Sequence, residues 1–98
     1  MATKIKRSIL IKKTQFKIHK NLAEQITKYL TGLYVSDEDA NKIIGLIDTL
    51  KTRYNISAFS ELYPKYAKGS NLEADIKKYL DSDEVAELFK RIKKKAIV

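Results

Sequence analysis

Seven basic side chains and no acidic ones occur in the first twenty residues, and we call this stretch the basic segment. It contains Lys4, Lys6, Arg7, Lys12, Lys13, Lys17 and Lys20. Since the whole chain has a formal charge of +8, nearly all of its net charge lies in this segment. Such local concentration is expected of a surface that contacts nucleic acid, or more weakly an anionic membrane or an acidic partner.

Residue types suited to catalysis are scarce. His19 is the only histidine and there is no cysteine, so a histidine pair or thiolate site for zinc is excluded. The glycines at 32, 45 and 69 are too dispersed for a phosphate-binding loop. Acids cluster at 37–39 and 81–84, where they suit predicted helix starts. We predict no enzyme activity, no cofactor and no metal.

Length and composition indicate a single compact domain. The chain has 98 residues, of which 44% are hydrophobic and 33% charged. A core of this size is modest, so a second subunit could contribute to stability. The longest uninterrupted apolar run is Ile9-Leu10-Ile11, far below the roughly 20 residues that a membrane-spanning helix needs. We therefore predict a soluble cytoplasmic protein that does not enter a membrane.

The elements that must position the basic segment begin with a strand. Phe16 and Ile18 alternate with Gln15, Lys17 and His19, which predicts an ordered strand near residues 13–18 after a flexible arm at 1–12. Alternatively, residues 5–18 form two short strands that meet near 12–13. A helix follows at about 21–32, and the stripe from Ala40 through Leu50 to Tyr54 predicts a longer one over 36–54, capped by Ser36.

The remaining residues predict further short helices. We expect one at 57–63, ended by Pro64, which should force Tyr63 out of helical geometry. The capping-box spacing from Ser70 to Glu73 predicts a helix over 71–80, and Asp81 begins the last one. The predicted fold class is mainly α, with a short N-terminal β-strand, paired across a dimer or within the chain, followed by four to five short helices.

This order of elements resembles the ribbon-helix-helix family of DNA-binding proteins over residues 13–54. The resemblance rests on Thr14-Gln15-Phe16-Lys17-Ile18-His19, then on 21–33 and 36–54. It implies that two chains pair their strands into an antiparallel ribbon that enters the major groove of duplex DNA. Residues 56–98 would then be an appended helical module, by analogy with adaptors of plasmid partition systems.

The resemblance also implies roles for individual residues. Gln15, Lys17, Lys13 and His19 would face the DNA, where glutamine can bind adenine and lysine can bind guanine. Phe16 and Ile18 would face inward, and the dimer interface would include them together with the helical stripe: Phe16, Ile18, Ile43, Ile47, Leu50. The arm would add phosphate contacts through its own cations: Lys4, Lys6, Arg7, Lys12.

Other polar and aromatic groups admit two interpretations. Tyrosines at 29, 54, 63, 66 and 79 are expected in the core, with base stacking as the alternative. Lysines and arginine at 90–95 suit the negative end of the last helix, or form a second phosphate-binding patch.

The leading hypothesis is a small dimeric DNA-binding protein of repressor or plasmid or phage maintenance type. The alternatives are a non-enzymatic protein-interaction module of phage or mobile-element origin, binding its partner through residues 57–96, and non-specific RNA binding.

Overall fold

A computed structural model describes residues 17–30 and 35–98, which form five helices. The described part of α1 covers residues 17–29, and α2 spans Asp37–Asp48. After it come α3 at Arg53–Tyr66, α4 at Leu72–Tyr79 and α5 at Ser82–Lys93. The predicted mainly helical class is confirmed.

Side-chain caps start the helices close to where the sequence placed them. The Ser36 hydroxyl accepts a hydrogen bond from the Asp39 amide at 3.1 Å, which satisfies a donor that the first turn of α2 leaves free. At α5, the Asp81 amide donates to Glu84 Oε1 at 2.8 Å. For α4 the cap is Asn71, whose Oδ1 accepts from the Ala74 amide, so the predicted start at Ser70 is shifted by one residue.

The long helix predicted over 36–54 is wrong, because two helices occupy that range. Helix α2 ends at Asp48, where the Thr49 hydroxyl donates to the Leu46 carbonyl at 2.6 Å. The backbone of Thr52 is extended, and its hydroxyl accepts from the Asn55 amide to begin α3. Both threonines offer the backbone local hydrogen bonds that compete with continued helix.

Pro64 does not end a helix, contrary to the prediction. It lies inside α3, and Tyr63 keeps helical geometry with no exposed surface. Burial of Tyr63 and Phe59 outweighs the loss of one backbone donor at the proline. Helix α3 continues past Pro64 to Tyr66, and the chain then reverses at Lys68 and Gly69, which both have positive φ. The Gly69 amide donates to the Pro64 carbonyl at 2.8 Å.

The predicted strand at 13–18 cannot include its last two residues, because Lys17 and Ile18 are helical. Residues 13–16 lie outside the described part of the chain. Buried side chains at His19, Leu22 and Ile26 recur with helical spacing, which extends the first helix back beyond its predicted start at residue 21. The first buried position of the described part of this helix is therefore His19, directly after the stretch predicted to form the strand.

One core lies among the helices, and it changes the role of the predicted dimer residues. Ile43 is fully buried, Ile47 is 1% exposed and Leu50 is 7% exposed, all within a single chain. They pack with side chains of every other helix, such as Ile26, Phe59, Ile76 and Leu88. These three side chains therefore cannot serve as an exposed interface for a second copy. Ile18 is 52% exposed, and Phe16 lies outside the described residues.

Among the residues that the structure describes, no helix combines the length and the apolar character that crossing a bilayer requires.

Candidate nucleic-acid interface

Helices α2 and α5 run side by side in the same direction. At their C-terminal ends, Lys95 Nζ lies 2.9 Å from Asp48 Oδ1 and donates to the Asp48 carbonyl at 2.9 Å. At their N-terminal ends, carboxylate oxygens of Asp37, Asp81 and Glu84 all lie within 4.8 Å of one another. Contacts at both like ends establish the parallel arrangement.

Parallel packing gives the bundle two ends of opposite charge. Two positive helix N-termini meet at one end, where acids at 37–39 and 81–84 complement them. Two negative C-termini meet at the other, where exposed cations collect. We call this second region the basic end and define it by Lys51, Arg53, Lys93 and Lys94. A 12-residue helix separates the two ends by roughly 18 Å.

Asp48 sits at the negative end of α2 and needs compensation there. Its hydrogen bond with Lys95, followed by the charges of Lys95 and Arg91, holds the pKa of the Asp48 carboxyl below its usual range. Arg91 also bonds Glu87 at 3.0 Å. Arg91 and Lys95 are therefore occupied by structural contacts, whereas Lys93 and Lys94 extend into solvent.

The residues after α5 pack on the start of α3. The Arg53 and Tyr54 amides donate to the carbonyls of Ala96 and Ile97, both at 2.9 Å. The Arg53 guanidinium also donates through Nε to the Lys95 carbonyl at 3.1 Å. These contacts satisfy amides that a helix N-terminus otherwise leaves free. They also bring Lys93 and Lys94 next to Arg53.

The described part of α1 begins at the basic end. Ile18 and His19 line a shallow depression together with residues of the α2–α3 connection and the first turn of α3: Thr49, Leu50, Lys51, Asn55. At the far end of the same helix, the ring of Tyr29 lies beneath Lys42 Nζ, 5.6 Å away, so α1 runs antiparallel to α2. Lys17, in the first described turn of α1, therefore lies beside the basic end, and residues 1–16 precede it in the chain.

The residues predicted to contact DNA differ in their exposure, and several of them lie outside the described residues. Lys17 is exposed and suitably placed. His19 is only 7% exposed, and its ring meets that of Phe59 edge-on at a centroid distance of 5.8 Å. Little of the side chain is therefore accessible, because helical phase turns the ring toward the core, and its role as a DNA contact stays a prediction. The other predicted contacts lie outside the described residues: Lys4, Lys6, Arg7, Lys12, Lys13, Gln15.

Burial also gives His19 an acid-sensitive role in stability. Its Nδ1 is buried without a hydrogen-bond partner among the described residues, and desolvation lowers the pKa of the ring. The unfolded chain, with a histidine pKa near about 6.5, then binds the proton more readily than the folded chain.

We therefore expect the free energy of unfolding to fall as the pH drops through about 6.5 toward the folded-state pKa. Urea unfolding at about pH 7.5 and about pH 5 measures this, with His19→Leu as the matched control. The stability of the natural chain relative to the variant should decrease on acidification. A constant difference would contradict the assignment.

Sequence reasoning missed the basic end. The sequence predicts one long helix over 36–54, with Lys51 and Arg53 in its last turn and Tyr54 on its apolar stripe. The break at residues 49–52 instead places Tyr54 in the first turn of α3, where it is 65% exposed. Two hydroxyl residues, Thr49 and Thr52, were the available signal for that break.

Two other features of the described residues have the geometry of a binding site, one for a cation and one for an apolar group. The trio Asp37, Asp81 and Glu84 has carboxylate spacing suited to a cation, but Glu84 already caps α5 and the other two belong to first turns or caps. An apolar groove lies between α3, α4 and α5, with Phe89 at 37% exposure on its rim. Its other apolar walls include Ile56, Leu72, Ile76, Leu88, Ile92.

Comparison with family models, with curated proteins and with solved structures gives no match to this chain.

Proposed function

We propose that this protein binds DNA through its basic segment and the basic end of the helical bundle. The observation that supports the proposal most strongly is the coincidence of two charge concentrations. Seven cations without an acid occupy residues 1–20, and this segment enters the bundle beside Lys51, Arg53, Lys93 and Lys94. Cations concentrated in this way attract a phosphate backbone, and their contacts with phosphates release its counterions.

The acidic residues at the opposite end of the bundle also favour DNA binding at the basic end. Exposed carboxylates on Asp37, Glu38, Asp81 and Asp83 repel phosphates from the opposite end of the bundle. A DNA backbone is therefore drawn to the basic end of the bundle, which is also the end that Lys17 occupies. Electrostatic attraction of this kind contacts phosphates and is independent of base sequence.

Sequence-specific reading by a ribbon is a narrower form of the proposal. Because Lys17 and Ile18 belong to α1, a ribbon strand would have to lie wholly before residue 17. A homodimer would likewise need an interface other than Ile43, Ile47 and Leu50. Repressor activity and a part in plasmid or phage maintenance stay predictions of this narrower form.

A salt titration tests DNA binding itself. We expect the logarithm of the association constant for a random-sequence duplex to fall linearly with the logarithm of salt concentration, by about 0.9 for each phosphate contact. Fluorescence anisotropy with a labelled duplex measures this slope. Absence of binding at about 0.05 M salt would contradict the proposal.

The second candidate is a non-enzymatic protein-interaction module. The groove beside Phe89 favours it, since an apolar helix of a partner protein could fill such a groove. Its walls come largely from residues 57–96, the range predicted to bind a partner. In this case, duplex DNA would not bind in the titration, and the lysines of the basic segment would be dispensable for partner binding.

A further inference from the structure

We propose that Tyr54 is a stacking platform for an unpaired nucleic-acid base, which makes the basic end a site for single-stranded segments. This inference rests on the proposed function and specifies that the helical bundle binds single-stranded nucleic acid. It starts from the exposed side chain of Tyr54, which does not contribute to the core. Tyr54 is 65% exposed, whereas the other described tyrosines, at 29, 63, 66 and 79, are buried or half-buried.

The backbone around Tyr54 is held in place. Its amide donates to the Ile97 carbonyl at 2.9 Å, and the neighbouring Arg53 amide donates to Ala96. Thr52 caps the same turn through the Asn55 amide. An aromatic ring on a fixed helical turn loses little conformational freedom when a base stacks on it.

Exposed cations lie in the same region as Tyr54, next to it in the chain and across the contact between α3 and the residues after α5. Arg53 precedes it, and the hydrogen bond from Arg53 to the Lys95 carbonyl brings Lys93 and Lys94 to the same region. Lys51 lies just before the cap of α3. An aromatic face among backbone-binding cations is the combination that proteins use for single strands, whose bases are free to stack. In a duplex, the faces of the bases are already covered by their neighbours.

An anionic membrane could also attract cations and exposed apolar groups, but the geometry favours nucleic acid. Binding at a bilayer interface requires an extended apolar face along a helix. On the face of α3 that carries Tyr54, the residues at helical spacing are Ser57, Ala58 and the charged Glu61, so no extended apolar face continues from the ring. Ile97 and Val98 are also exposed, but they follow α5 and belong to no helix. A single ring is sufficient to stack one base, so the basic end suits a base better than a lipid surface.

Substitutions of Tyr54 in the full chain test the proposal. We expect Tyr54→Ala to weaken binding to oligo(dT) or oligo(U) by about 5- to 100-fold, while Tyr54→Phe, which retains the ring, stays close to the natural chain. Binding to a duplex should change by less than about 2-fold, because phosphate contacts are retained. The salt dependence should be unaltered, since tyrosine is neutral. Loss on oligo(dT) alone or on oligo(U) alone supports the site and identifies which of the two single strands it prefers.

Several results would overturn the stacking site. They are an equal loss on duplex and single strand, no loss on either single strand, or binding of the natural chain only to vesicles that contain phosphatidylserine. If the natural chain binds duplex but no single strand, the stacking site fails while the proposed function stands. If it binds no nucleic acid at all, the proposed function itself fails. Should Tyr54→Ala melt early, Tyr54→Leu provides the comparison, because it keeps the bulk and removes the aromatic face.

Discussion

Replacing Phe59 with alanine is expected to lower the free energy of unfolding by about 3 to 5 kcal/mol. Phe59 has no exposed surface and lies where α1 meets α3, with its ring edge-on to His19 and 6.0 Å from the ring of Tyr63. Removing the ring leaves a cavity that the surrounding core side chains cannot easily close. A small domain has a total stability of about 5 to 15 kcal/mol, so the loss is a large share of it.

The matched control is Phe89→Ala, which deletes the same ring from a side chain that is 37% exposed. Its cost should be well below that of Phe59→Ala, because less apolar surface leaves the interior. Urea unfolding followed by circular dichroism gives both values. Equal costs for the two variants would contradict the burial of Phe59 in the core.

Helix starts could be predicted from the sequence because they depend on neighbouring residues. Ser36 with its three following acids, and Asp81 with Glu84, identify their helices through side chains within one turn. The Pro64 prediction failed for the opposite reason. A local rule favours a break there, but Phe59 and Tyr63 bury enough surface to hold the helix through it. Signals from neighbouring residues carry no information on how much surface a helix buries against other helices.

The candidate site likewise has one part that depends on local sequence and one part that depends on contacts between distant helices. Charge counting located the cationic segment, since composition alone carries that information. The basic end depends on packing α2 against α5, which are separated along the chain by α3 and α4. No spacing rule brings Lys94 beside Arg53. The sequence also predicted the wrong environment for Tyr54. Leu50 and Tyr54 have the spacing of neighbours on one helix face, so Tyr54 was expected to be buried. The hydrogen bonds of the Thr49 and Thr52 hydroxyls instead accompany a break between these two residues.

Changing Lys12, Lys13 and Lys17 together to alanine is expected to produce the largest loss of function. If each contacts a phosphate of duplex DNA, the slope of log affinity against log salt should decrease by about 2.7, which at about 0.1 M salt is a loss of roughly two orders of magnitude or more. Fluorescence anisotropy over a series of salt concentrations measures both quantities. Lys17 is exposed in the first described turn of α1, so its removal leaves the core intact.

A triple substitution elsewhere separates position from overall charge. Lys68, Lys77 and Lys78 are exposed, and changing them to alanine removes the same three charges. Lys68 follows the C-terminal end of α3, roughly 20 Å along that helix from Arg53, while the other two lie in the last turn of α4, just before the acidic start of α5. This control should retain nearly the full slope, since screening weakens charges beyond about 10 Å. Equal losses in the two triple variants would mean that DNA responds only to the net charge of the protein, and the basic segment would no longer be its specific contact surface.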